Sequence, residues 1–379
     1  MSEWRLVRLN FGRNPTHFGE TGIGLESTCE RVRSDTLFGA WMGAYAKTFG
    51  KKAVEDLLGQ FETAGEPPFR VSSTFVYRHQ GGTYTDYLPV LADRPTDYPA
   101  DDLAFAKTFR KLKYLPLSVW QRWYQGSGFS KQDQEDLKIR ASNPNDDSTE
   151  LAKAGCFSYT EAFKTHELPK VAIDRTTRAT NFYHTGYVQF GWRMREQPDP
   201  NDWNDSEIEH LGGLYFLLEV PDSDDLGLED RLYQSLGVLG EGGLGGERSS
   251  GAGRFFIQTW DPLSTNWQAI VNPSLQTNHH ALMGLFWQKG LSPEWLGDSA
   301  RYTILERGGW ISSPFSGRQL RRKMVRMFAE GSIFPNKPAG ELANVTPDGF
   351  KRHQVYRSGI PISVPVLVKS PTEHLEASA

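Results

Sequence analysis

Cysteine is nearly absent: Cys29 and Cys156 are the two thiols in 379 residues. Two cysteines build neither a disulfide framework nor a multi-cysteine zinc site, so a reducing, cytoplasmic setting is expected, with no metal and no cofactor. No run approaches about 18 uninterrupted apolar residues, and mean hydropathy is −0.52. A transmembrane helix and a membrane partner are therefore not expected. The opening residues, MSEWRLVRLNFGR, carry no apolar stretch of the kind a signal peptide needs. Lys and Arg are missing altogether from 199–230, where 11 Asp and Glu are crowded. Elsewhere 42 basic residues face the remaining 35 acidic ones, so the net charge of −4 conceals a basic remainder. An anionic ligand on a local basic surface is thus not excluded.

What is present reads as α+β. Residues 4–11 alternate apolar and polar with period two, the pattern of a half-buried strand. Ser34 or Asp35 then stands where an N-cap is needed. Behind it Leu37, Phe38, Trp41, Ala44, Tyr45 and Phe49 recur at helical spacing over 34–49. Residues 51–170 read as an insertion with a strand at 70–78, a helix near 101–110 and a turn at 141–148. Strands at 182–194 and 213–220 follow, the first rich in aromatic and β-branched residues. A helix is expected near 226–239, then a glycine-rich loop at 240–253, then a strand at 254–260. Written as elements this is βαββαβ, the split βαβ or ferredoxin-like (RRM-like) order. It assigns 1–262 to one domain. Residues 263–379 form a smaller, degenerate ferredoxin-like or mainly β domain, with strands at 281–288, 301–311, 322–334, 353–358 and 362–368 and a frayed tail.

The loop holds seven glycines in 14 positions. Glycine lets a backbone approach a ligand without a Cβ in the way, and successive N–H groups can form an anion-binding nest. Arg248, Ser249, Ser250 and Arg254 add phosphate-shaped donors. Residues 240–245 match G-x-G-x-x-G, but a dinucleotide fingerprint follows a strand and opens a helix, whereas this one follows a helix and precedes a strand. No G-x-x-x-x-G-K-[ST] occurs, which excludes a P-loop.

Further blocks carry a family likeness: RLNFGRNPTHFGE (8–20), SDTLFGAW (34–41), VAIDRTTRAT with YHTGYVQF (171–190), GEGGLGGERSSGAGRF (240–255), RGGWISSP (307–314), EGSIF (330–334) and HQVYRSGIPISVPV (353–366). Together they resemble the RAMP superfamily of CRISPR RNA-binding proteins. Within it the branch is the fourth Csm subunit of type III effector complexes, which caps the 5′ tag of the guide RNA. The resemblance implies a non-catalytic subunit, not an enzyme. It would hold the crRNA tag and bridge the large polymerase-like subunit to the backbone RAMP subunit, and a hairpin at 175–190 would wedge into the guide–target duplex. Carried over by position, tag contacts fall on Gly242, Gly243, Gly245, Gly246, Arg248, Ser249, Gly251, Gly253 and Arg254. His17 and Gly19 would face the same RNA, and Arg175, Tyr183 and His184 would belong to the hairpin. Such contacts need donors for phosphates and aromatic faces for unstacked bases.

Several residues keep two readings. His17, Tyr183 and His184 are the one set that could serve a metal-independent endoribonuclease processing CRISPR precursor RNA. Asp35 reads as a helix cap rather than a nuclease acid. Asp174 stands beside Arg175 and could pair with it. The adjacent His279 and His280 would point to opposite faces of a strand and could not share a metal. Arg318, Arg321, Arg322, Lys323 and Arg326 could touch RNA or a partner. The acidic run would face solvent or a basic partner.

Overall fold

The computed structural model describes residues 2–19, 24–63, 65–99, 102–194, 208–221, 227–311 and 320–368. The chain opens with β1 (Glu3–Asn10), α1 (Ser34–Phe49) and α2 (Lys51–Thr63). Next come β2 (Arg70–Val71), β3 (Phe75–Gln80), β4 (Thr83–Pro89), α3 (Ala106–Phe109) and β5 (Tyr114–Pro116). The helices α4 (Leu117–Gln125), α5 (Lys131–Ser142) and α6 (Glu150–Lys153) follow. Then come β6 (Phe163–Ile173), β7 (Thr180–Phe190), β8 (Trp192–Met194), β9 (Ile208–Val220), α7 (Leu228–Gly242), β10 (Phe256–Pro262) and α8 (Thr265–Val271). The C-terminal part adds β11 (His279–Leu282), β12 (Ile304–Arg307), β13 (Val325–Phe328) and β14 (Ile333–Phe334). It ends with β15 (Leu342–Asn344), β16 (Tyr356–Ser358) and β17 (Ser363–Val366).

The main sheet runs β10-β1-β9-β3-β4-β5, with every neighbouring pair antiparallel. Strands β2 and β8 also pair with β9. Successive side chains of a strand point to opposite faces, and both faces here are covered. Val7 and Leu9 of β1 join Leu214, Phe216 and Leu218 of β9 against α1 and α7, through Leu37, Phe38, Trp41, Leu232 and Leu236. On the other face Leu6, Tyr215 and Leu217 meet Trp120 and Trp123 of α4 and Trp267 of α8. Arg8, on that same face, forms a buried pair with Asp86 at 2.7 Å, and Trp267 Nε1 donates to the same carboxylate at 2.8 Å. Burying a charge demands such partners.

Three expectations change. Residues 182–194 do not supply a strand between β9 and β4. Instead β7 pairs along its whole length with β6, from Phe163↔Phe190 to Ile173↔Thr180, and β8 alone reaches the edge of β9. A partner one short turn away costs little loop closure. The place beside β9 goes to β3, out of the segment read as an insertion. The strand expected at 70–78 is broken at Ser72–Thr74 because those backbone groups bond elsewhere. Ser73 N–H donates to Met283 O at 2.8 Å and Thr74 N–H to Val32 O at 2.8 Å. The helix expected near 101–110 is the four-residue α3.

The C-terminal strands form a three-stranded sheet, β14-β11-β17, and the pairs β12-β13 and β15-β16. Charged side chains tie this part to the start of α1. Asp35 is not a cap: Arg33 is the N-cap residue, and no side chain caps this helix. The Asp35 carboxylate instead receives Arg307 at 3.0 Å and Arg357. Burial pushes its pKa up, but the two guanidiniums outweigh that and hold it below the ordinary value. Glu330, buried likewise, is held well down by Arg31 and Arg33. Of the 199–230 run that the sequence left to solvent or a basic partner, Asp230 is exposed, whereas Glu219 and Glu229 have partners inside the protein. Glu219 lies 3.6 Å from Arg70 and Glu229 lies 2.7 Å from Arg5. Much of the rest of that run, together with Arg318, lies outside the described residues.

Candidate nucleic-acid interface

The helix before the glycine loop runs further than its apolar stripe suggests, so Gly240 and Gly242 are helical. The loop proper begins at Gly243 and rests on segment 15–18. Gly246 N–H donates to His17 O at 2.8 Å, Gly253 N–H to Pro15 O at 2.8 Å, and Leu244 N–H to Gly253 O at 2.8 Å. A Cβ on Gly245 would stand 2.4 Å from His17 O, and one on Gly253 2.1 Å from Leu244 O. These glycines are required by the chain's own packing. The expected nest is not formed over 250–253 either. Ser250, Gly251 and Ala252 donate to Glu247 and Arg248 carbonyls, and Gly253 to Pro15. Backbone donors in a tight loop take protein partners first. What faces outward is side chain: Arg248, Ser249, Ser250 and Arg254 are exposed. The first three form a 3₁₀ turn held between two left-handed residues, Glu247 at φ +54° and Gly251 at φ +86°.

His17 is buried beneath this loop. Its Nδ1 donates to Gly186 O at 2.7 Å, which fixes the ring between loop and hairpin. Thr16 and Val188 exchange both backbone bonds at 2.8 Å. A Cβ on Gly19 would lie 3.4 Å from His17 Nε2, so the two share one corner. Lys170 of β6 pairs with Glu247 and sits 5.3 Å from the centre of the Tyr187 ring. That ion pair ties the loop to the hairpin, and no sequence signal marks it.

The hairpin spans 163–190 rather than 175–190. Its turn is built on Asp174, whose Oδ1 accepts from Thr177 N–H at 2.8 Å and Thr176 N–H at 2.7 Å. Those bonds hold its carboxyl below the ordinary value. The expected Asp174–Arg175 pair is therefore replaced by a turn that leaves Arg175 exposed at the tip. Tyr183 lies opposite Lys170, on the face toward the loop, and His184 lies opposite Pro169 on the reverse face. There the His184 ring meets the edge of Phe182 at 4.9 Å, beside exposed Val171 and Ile173. His17, Tyr183 and His184 do not converge on one point. His279 and His280 occupy adjacent positions of β11. Among the described residues no group of three His, Cys, Asp or Glu could hold a metal ion, and no helix is long and apolar enough to cross a membrane.

Comparison with known proteins gives consistent matches. Residues 275–366 match the family model for the CRISPR Csm4 C-terminal domain. The "CRISPR system Cms protein Csm4" of Thermococcus onnurineus is 26% identical over 320 residues, covering 81% of this chain and 83% of that protein. The protein of the same name from Mycobacterium tuberculosis is 25% identical over 360 residues, 94% and 96% of the two chains. In fold, the chain resembles one in the crystal structure of a Csm3-Csm4 subcomplex of the type III-A interference complex. The TM-score is 0.57 at 14% identity, covering 95% and 99%. A chain of a Csm1-Csm4 cassette with pppApA gives 0.50 at 18%, covering 98% and 100%. The resemblance read from the sequence blocks holds: the chain carries a match to the Csm4 C-terminal domain and is similar over most of its length to Csm4 proteins of type III CRISPR systems.

Proposed function

We propose that this chain is a non-catalytic RNA-binding subunit of a type III complex. It holds the 5′ tag of the guide where the glycine loop, segment 13–19 and the hairpin meet. The observation that carries the reading is the loop itself. The N–H groups of Leu244, Gly246 and 250–253 are taken by the protein itself, and the turn they seat leaves Arg248, Ser249, Ser250 and Arg254 exposed. Cations and hydroxyls on a rigid platform suit phosphate oxygens. His17 then acts as a pin under the loop, and a catalytic role is disfavoured because its ring is buried and Nδ1 is engaged. We read the order β10-β1-β9-β3 as the ferredoxin-like sheet, with Phe75–Gln80 as its second strand. The crystallised Csm3-Csm4 and Csm1-Csm4 assemblies support a backbone RAMP subunit and the large polymerase-like subunit as partners, with the hairpin reaching the guide–target duplex.

The test is guide occupancy of complexes carrying Arg248→Glu with Arg254→Glu. Occupancy is expected to fall with Tm unchanged. Each lost phosphate contact should reduce the salt slope of RNA binding by roughly 0.7. Normal guide loading in the double variant would sink the reading. Cleavage of repeat RNA in EDTA that disappears in His17→Ala would establish an enzyme instead.

A further inference from the structure

In the RGGW block at 307–310, far in sequence from the loop, Arg307 holds Asp35, and Gly308, Gly309 and Trp310 stand beside it. Its backbone is rigid: Arg322 N–H donates to Gly309 O at 2.9 Å and Ile311 N–H to Leu320 O at 2.8 Å. On this ladder Trp310 is 38% exposed, with the Arg321 guanidinium 5.1 Å from its ring centre. Arg322 donates Nε to Trp310 O at 2.9 Å, which fixes it beside the indole. Gly308 and Gly309 leave the surface next to the ring without side chains.

Behind this face three guanidiniums gather close together. Among the described residues Arg307 and Arg357 pair with the Asp35 carboxylate and Arg322 lies within their field, while Glu330 pairs with Arg31 and Arg33. Glu30 bonds to Tyr114, and Lys323 pairs with Asp348. Arg357 is buried with Nε lacking any hydrogen-bond partner among the described residues. Burial first, then repulsion from Arg357 and Arg307, brings Arg322 down to about 10. A cation held where its neighbours repel it, beside an exposed indole and a bare glycine pair, is the combination that receives a phosphate and its base.

We propose that the face of Gly308, Gly309, Trp310, Arg321 and Arg322 is a second contact for single-stranded RNA, stacking a base on Trp310 and taking the adjoining phosphate on Arg322. It rests on the RNA-binding reading above and extends it to the C-terminal part of the chain.

The experiment uses the full chain and a fluorescein-labelled eight-nucleotide single-stranded RNA. Affinity is measured over a salt series, and ultraviolet crosslinks are mapped by peptide. Trp310→Ala is expected to weaken binding about tenfold, from the loss of one stacked base, and Trp310→Phe to restore most of it. Arg322→Gln should reduce the salt slope by roughly 0.7, and crosslinks should fall within 308–311. Wild-type affinity in both Trp310→Ala and Arg322→Gln overturns the inference. Unchanged RNA affinity with loss of co-purifying partner subunits also overturns it, and makes the face a protein contact. Loss of binding in the Arg248→Glu, Arg254→Glu variant alone would spare the loop reading and remove this one. A wild-type chain that binds no RNA would remove both.

Discussion

Two arginine-bearing regions of this molecule use the same side chain in opposite ways. At the glycine loop Arg248 and Arg254 are exposed, on a backbone that bonds to Pro15 and His17. At the start of α1, Arg307 and Arg357 converge on Asp35, and Arg31 and Arg33 on Glu330, with both carboxylates fully out of solvent. In the first region the charge stands at the surface, where the proposed function puts the RNA. In the second it holds the C-terminal strands to the N-terminal helix. Removing charge should therefore cost function in one place and stability in the other.

The sharpest break of that contrast is Asp35→Ala. It leaves Arg307 and Arg357 buried without their acid, and breaking a buried ion pair from one side costs about 3–5 kcal/mol. Urea unfolding at pH 7 should show a midpoint lowered accordingly, whereas an exposed-loop arginine variant should stay within about 0.5 kcal/mol of the parent. An Asp35→Ala protein as stable as the parent would mean that this network does not join the two parts.

Acid titration sharpens the same comparison. Asp35 and Glu330 both have pKa values held below their ordinary range by arginines that outweigh burial. Their contribution is complete above the unfolded values near 4 and is lost as pH falls through the folded ones. Thermal melts from pH 7 to 3 should thus fall steeply below about pH 4. Glu330→Gln should be less stable at pH 7 but show a shallower fall. A parallel fall in parent and variant would show that other carboxylates govern the acid limb.

The parts legible in the sequence were those written in local periodicity. The alternation in Trp4–Phe11 and the helical stripe of Leu37, Phe38, Trp41 and Tyr45 mark β1 and α1 without reference to anything distant. The strand beside β9 was misassigned because β3 is six residues long and follows a break whose cause, the bonds of Ser73 and Thr74 to Met283 and Val32, lies elsewhere in the chain. The aromatic run at 182–190 is a strand, but sequence does not say which partner it takes. Asp35 reads as a cap, yet it lies within the first turn of α1 and its partners are 272 and 322 residues away. The glycine cluster was visible, yet its reason was not. Only contact with His17 and Pro15 shows which glycines the protein itself requires.

That reason separates three glycines, one at the end of α7 and two in the loop, and gives the finest test of the contrast. Gly242 ends α7 with open space where a Cβ would go, so Gly242→Ala should be neutral or stabilise by up to about 1 kcal/mol through helix propensity. Gly251 also faces open space but has φ +86°, so Gly251→Ala carries backbone strain alone, about 1 kcal/mol. Gly253 has φ +78° and would press its Cβ onto the Leu244 backbone, so Gly253→Ala adds a collision and should lose more, about 2–3 kcal/mol. RNA affinity should follow the same order, since displacing 253 lifts the loop off Pro15 and moves Arg254 with it. Equal melting temperatures for the three variants would mean that the loop is not seated on segment 15–18. Unequal melting temperatures with equal RNA affinities would mean that the seat is real but that its exposed arginines do not meet the guide.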